Sequence, residues 1–117
     1  MTVLLVDDSA AIRTRLAKLL AEMGGIAVEE ASDARSAYEC LGRAQPDAVV
    51  LDIRLGDHSG LPILQAIKQA PAPPLVIMLT NHPTEFHRRW CAEQGADYFF
   101  DKACQMERVL DVLAGRR

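Results

Sequence analysis

Five short apolar runs, at residues 3–6, 26–28, 48–51, 75–79 and 98–100, alternate along the chain with stretches of helical periodicity. Short continuous runs rich in Val, Leu and Ile suit strands buried on both faces of a parallel sheet. The intervening stripes repeat at helical spacing. Ile12, Leu16, Leu20 and Met23 form the first, closed by Gly24 and Gly25. Ala34, Ala37, Tyr38 and Leu41 form the second, with an end expected near Gly42. Leu61, Leu64 and Ile67 form the third, stopped by the proline-rich segment from Pro71 to Pro74, because proline cannot continue a helix. The stretch from Thr84 to Gln94 is less regular, with Gly95 as its expected C-terminal cap, and Met106, Val109, Leu110 and Leu113 form the last stripe. Strict βα alternation predicts an α/β fold with right-handed crossovers and helices on both faces of a parallel sheet. The 117 residues fit one domain, and half of them are hydrophobic, enough for a real core.

Such sheets bind ligands beyond the carboxyl ends of their strands, where the strand order reverses. At that edge the first run ends in Asp7 and Asp8, the third in Asp52, the fourth in Thr80, and the fifth near Lys102. If the first and third strands are neighbours, three carboxylates converge and must be neutralised by protonation or by cations. A hard divalent cation with oxygen ligands fits best: Mg²⁺, or by the same donor chemistry Mn²⁺. Lys102 adds a compact positive charge and Thr80 a hydroxyl, both suited to phosphoryl oxygens. Ser9 is expected to cap the first helix, and Gly60 to serve backbone geometry before the third.

This set, in five βα units, resembles the receiver domain of bacterial response regulators over the whole chain. "GADYFFDK" (residues 95–102) looks like the final strand of many receivers. The resemblance implies a flavodoxin-like (βα)5 three-layer sandwich with strand order 2-1-3-4-5, spanning residues 1–117, with no output domain in this chain. It implies a two-component signalling switch rather than an enzyme in its own right. Asp52 would accept a phosphoryl group, Mg²⁺-dependently, from a sensor histidine kinase or a histidine phosphotransfer protein. Asp8 would hold the metal most directly, Asp7 through water, with Asp52 and the backbone carbonyl of Arg54 completing the set. Thr80 and Phe99 would act as switch residues, altering the face built from the fourth helix, fifth strand and fifth helix. A downstream protein, or a second copy of the chain, would read that face, with Trp90, Arg88 and Arg89 as candidate contacts.

The chain departs from the family pattern at several points. Ala103 follows Lys102, and Gly56 stands four residues after Asp52, at positions where receivers usually carry proline. A non-proline cis bond costs about 2.5–4 kcal/mol, so a trans Lys102–Ala103 peptide is expected. Arg54, Asn81 and His82 occupy positions that tune phosphoryl lifetime, and their long or basic groups predict a persistent phosphoryl state. Two other functions compete. One is a phosphorylation-independent adaptor on the same fold. The other is a small aspartyl-phosphate phosphohydrolase, which usually needs a D-x-D after the first strand. Flavin binding lacks its Ser/Thr/Gly-rich phosphate cradle. The net charge of −3 carries no nucleic-acid footprint, and the sequence has neither a signal peptide nor an apolar run of membrane-spanning length. Cys40, Cys91 and Cys104 are odd in number and form no C-x-x-C, as expected of reduced thiols in a cytoplasmic protein, and the three histidines lack zinc-ligand spacing.

Overall fold

The computed structural model describes residues 1–81 and 83–116, apart from the side chain of Ala44. Five parallel strands form the central sheet: β1 (Thr2–Val6), β2 (Ala27–Ala31), β3 (Ala48–Leu51), β6 (Leu75–Thr80) and β7 (Tyr98–Asp101). Their spatial order is β2-β1-β3-β6-β7, which is the expected 2-1-3-4-5 when only the sheet strands are counted. A separate two-stranded hairpin, β4 (Arg54–Leu55) with β5 (His58–Ser59), follows β3. The helices are α1 (Ala10–Met23), α2 (Ala34–Ala44), α3 (Leu61–Lys68), α4 (Glu85–Glu93) and α5 (Met106–Ala114).

Side chains alternate across each strand, so the sheet sends one set of residues to each face. Leu4, Val6, Val49, Leu51, Val76 and Met78 pack with Ala37 and Cys40 of α2, Ile63, Leu64 and Ile67 of α3, and Cys91 of α4. Val3, Leu5, Ala48, Val50, Ile77 and Leu79 pack with Leu16 and Leu20 of α1 and Met106, Val109 and Leu113 of α5. Three helices therefore cover one face and two the other. β1, β3 and β6 are covered on both faces, which explains their unbroken apolar runs.

Local chemistry sets the helix ends. The Ser9 side chain accepts the Ile12 N–H and caps α1, as expected. Asp33 and Ser36 form a reciprocal capping box at α2, which holds the Asp33 carboxyl below its usual pKa, first through the Ser36 backbone N–H. α2 does not stop near Gly42. It runs to Ala44 and ends at Gln45, whose φ is 45°, because the following Pro46 disfavours a helical residue before it. Tyr38 departs from its expected core position: it is 44 % exposed, and Cys40 takes that place in the core. β2 begins one residue later than expected and extends through Glu29 and Glu30 to Ala31. As an edge strand it is half-exposed, so its pattern is broken by charge.

Candidate functional site

The sheet's hydrogen-bond ladders run one residue past the strands. Asp7 N–H donates to the Ala31 carbonyl (3.1 Å), Asp52 N–H to Val6 (3.0 Å) and Lys102 N–H to Thr80 (2.8 Å). The functional side chains thus hang from fixed backbone at the carboxyl edge. That edge includes the β1/β3 crevice, where the chain's progress across the sheet reverses.

Asp7, Asp8 and Asp52 each place a carboxylate oxygen within 4.8 Å of the others. Asp7 and Asp52 are only 5 % and 6 % exposed, whereas Asp8 is open to solvent. The Lys102 ammonium, 7 % exposed, lies 2.6 Å from Asp7 Oδ2 and 2.7 Å from Asp52 Oδ2. Asp7 Oδ1 accepts the Ser9 N–H at 2.9 Å, and Asp52 Oδ1 faces the Arg54 N–H at 3.4 Å. Asp8 Oδ2 accepts the Gly56 N–H at 3.0 Å. Burial pushes the Asp7 carboxyl above its usual pKa, against the downward pull of its bonds to Lys102 and Ser9. Burial alone would lower Lys102, but its hydrogen bonds to Asp52 and Asp7 outweigh that and raise it.

Three carboxylates against one ammonium leave a double negative charge in a partly desolvated cleft. A divalent cation balances that charge, and an all-oxygen donor set is the kind that Mg²⁺ prefers. The residues present therefore fit this metal.

The β4–β5 hairpin leaves no periodic signal in the sequence, and it carries Asp8's partner. Gly56 sits at its tip with φ 62°, and Asp57 beside it has no positive φ, the arrangement of a type II′ turn. At both positions where receivers usually carry proline, this chain uses an N–H that proline lacks. Gly56 donates to Asp8, and Ala103 donates to Asp101 Oδ1 at 2.9 Å. No peptide bond among the described residues is cis, so Lys102–Ala103 is trans as expected. Gly60 has a sharper reason to be glycine than helix entry: a Cβ there would lie 2.0 Å from the Asp52 carbonyl oxygen.

Thr80 is fully buried at the end of β6, and Asn81 beside it is exposed, as is the Arg54 side chain. His82 lies outside the described residues. Phe99 is half-buried against the α2–α3–α4 layer. The Arg88 guanidinium lies 4.7 Å from its ring centroid and donates to the Phe99 carbonyl at 3.3 Å. Arg88 is thus engaged with Phe99 while remaining exposed on α4. Cys91 points into the core with its thiol pushed up to about 11 by burial. Trp90 is half-buried against the same core, and its outer part shares a shallow surface with Phe86 and Arg89. Phe86, 62 % exposed, went unnoticed in the sequence because it fits no apolar stripe. Arg13 was also missed, although its five-residue distance from Asp8 returns it to the sheet edge over one helical turn. Its guanidinium donates to the Asp7 carbonyl and, at 3.2 Å, to Glu30 Oε1.

The family model for the response regulator receiver domain matches residues 3–114. The chain is 34 % identical over 113 residues to the transcriptional regulatory protein TrcR of Mycobacterium tuberculosis, covering 97 % of this chain and 44 % of that protein. It is 31 % identical over 111 residues to the chemotaxis protein CheY of Bacillus subtilis, covering 95 % of this chain and 92 % of that one. It spans less than half the length of the first regulators it matches, TrcR among them. The receiver domain of a DNA-binding response regulator from Colwellia psychrerythraea superimposes with a TM-score of 0.92 at 22 % identity, covering 99 % of this chain and 97 % of that one. Among the described residues no helix is long and apolar enough to cross a membrane.

Proposed function

The chain belongs to the response regulator receiver domain family, and from that premise we propose that it is a switch driven by phosphorylation of Asp52. The observation that carries this reading is the Lys102 ammonium set between Asp7 and Asp52, with Asp8 beside them. Asp52 is the nucleophile. One of its oxygens bonds to phosphorus while the P–N bond of a phosphohistidine breaks, and the electron pair returns to the imidazole nitrogen. The donor is a sensor histidine kinase or a histidine phosphotransfer protein.

Asp8, Asp7, Asp52 and the Arg54 carbonyl would hold Mg²⁺, which when bound supplies positive charge against the phosphoryl oxygens. Lys102 supplies a second positive charge from a buried position, where it acts more strongly than in water. It stays ionised at neutral pH, because the downward push of burial is outweighed by its hydrogen bonds to Asp52 and Asp7. The Thr80 hydroxyl would turn to a phosphoryl oxygen, and Phe99 would follow inward. That movement changes the α4–β7–α5 face, which passes the signal to a partner protein or to a second copy of this chain. Arg54 and Asn81, at the mouth of the site, would govern the approach of hydrolytic water, and His82 is assigned with them from its sequence position.

Incubation with Mg²⁺ and acetyl phosphate, followed by mass spectrometry, tests this. A gain of one phosphoryl group is expected, absent in Asp52→Ala and in chelator. Equal labelling of Asp52→Ala, or labelling unaffected by chelator, would overturn it.

A further inference from the structure

We propose that Arg13, held in place by Glu30, is a positioning residue that sets the metal affinity of the Asp7–Asp8 pair. This rests on the Mg²⁺ site of the proposed function and adds a residue that does not touch the metal.

Every polar atom of Asp7 is engaged. Its N–H goes to Ala31, Oδ1 accepts from Ser9, Oδ2 meets Lys102, and its carbonyl accepts from Arg13 Nη1. That carbonyl belongs to the peptide joining Asp7 to Asp8. Rotation of this peptide plane would change the angle between the two side chains, and with it the distance between their oxygens. The Asp7 N–H and side chain fix one end of the plane, and Arg13 fixes the plane itself. Arg13 is held in turn. Its Nε donates to Glu30 Oε1 on the neighbouring edge strand, and its side chain is only 15 % exposed. A planar guanidinium gripping two oxygens has little freedom left, which a lysine could not reproduce. The arrangement is that of an outer partner that orients a metal ligand.

Electrostatics alone predict the opposite effect, which makes the proposal decidable. A guanidinium beside a carboxylate trio repels a cation, so its removal would tighten Mg²⁺ binding. Loss of positioning weakens binding, and outer-partner mutations typically cost about 10- to 100-fold in metal affinity. The readout is direct binding, independent of phosphorylation: the Gly56 amide, bonded to Asp8, is followed by NMR while MgCl₂ is added. Arg13→Met is expected to bind Mg²⁺ about ten-fold more weakly than the parent. Arg13→Lys keeps the charge but not the two-oxygen grip, so it too should bind Mg²⁺ more weakly than the parent. Equal or tighter binding by Arg13→Met would overturn the role of Arg13.

If Arg13→Met does not fold, two variants of half-exposed Glu30 decide. Glu30→Gln and Glu30→Ala carry the same charge, but only Gln keeps an oxygen for the Arg13 Nε–H. Weaker Mg²⁺ binding by the Ala variant supports the proposal, and equal binding overturns it. A parent protein with no Mg²⁺-dependent shift would remove the metal site, and with it the reading beneath this proposal. A parent that binds beside an Arg13→Met that binds equally removes only the role of Arg13.

Discussion

Asp7 carries a cost that its neighbours only partly offset. Burial raises its pKa, so the carboxyl holds its proton more tightly in the folded chain than in the unfolded one. The stability linked to that proton is fully present below the ordinary value of 3.8 and is lost as pH rises through the higher folded value. At neutral pH ionised Asp7 therefore works against folding. Lys102 behaves in the same sense at the other end of the scale. Its folded pKa is raised, so its contribution is full below 10.5 and is lost as pH rises through its folded value. Asp7→Asn should accordingly raise the melting temperature in chelator at pH 7 by several degrees, the scale of about 1 kcal/mol. The gap should close below pH 3.8, where Asp7 is protonated in both states, and shrink in Mg²⁺, whose proposed binding would stabilise the parent. Thermal melts at the two pH values check this. An Asp7→Asn protein less stable than the parent at pH 7 would mean that the Lys102 ion pair outweighs burial.

At the scale of elements, the segment from β3 to α3 determines where Asp52 sits. Gly60 has φ −80° and ψ −9°, which any residue adopts, so its need for glycine lies only in contact. With a Cβ 2.0 Å from the Asp52 carbonyl oxygen, Gly60→Ala must displace either the hairpin or the end of β3. We expect a loss of about 1–3 kcal/mol in urea unfolding, together with slower labelling of Asp52. Unchanged stability and labelling would show that the chain absorbs the methyl freely. This element also marks the limit of what the sequence discloses. β1, β3 and β6 are legible because covering both faces demands unbroken apolar runs, and the acidic and basic residues follow from where those runs stop. The β4–β5 hairpin is not legible: two-residue strands leave no period, and its turn carries Gly-Asp in a register unmarked by flanking alternation. α2 misleads because Gly42 looks like a terminus, whereas Pro46 ends the helix three residues later through the residue before it. The Arg13–Glu30 and Arg88–Phe99 contacts escape for a related reason: each joins separate elements whose approach is set by packing on the sheet, which no local spacing encodes.

Across the whole molecule, the site and the proposed output face meet along β6 and β7. Thr80 closes β6 directly opposite Asp101, and Phe99 pairs with Met78 two residues earlier in the same ladder. α4 reaches that ladder through Arg88, which covers the Phe99 ring and binds its carbonyl. This contact holds the ring in its present half-buried position, so the proposed inward movement must give up the cation–π interaction. Such a contact at an exposed site is worth about 0.5–1 kcal/mol. The backbone bond does not depend on where the ring lies and drops out of the comparison. Removal of the guanidinium therefore lowers the cost of reaching the active arrangement without touching Asp52, Thr80 or Lys102. A ligand that binds only the active arrangement gains affinity by the same free energy. Beryllofluoride with Mg²⁺, as a mimic of the phosphoryl group on Asp52, is such a ligand. Arg88→Ala should bind it about two- to five-fold more tightly than the parent, while Mg²⁺ affinity in its absence stays the same. Arg88→Lys retains a cation for the ring and should fall closer to the parent. Affinity unchanged or weakened in Arg88→Ala would mean that the ring pays no toll to move, and Phe99 would lose its place as the element coupling the site to α4.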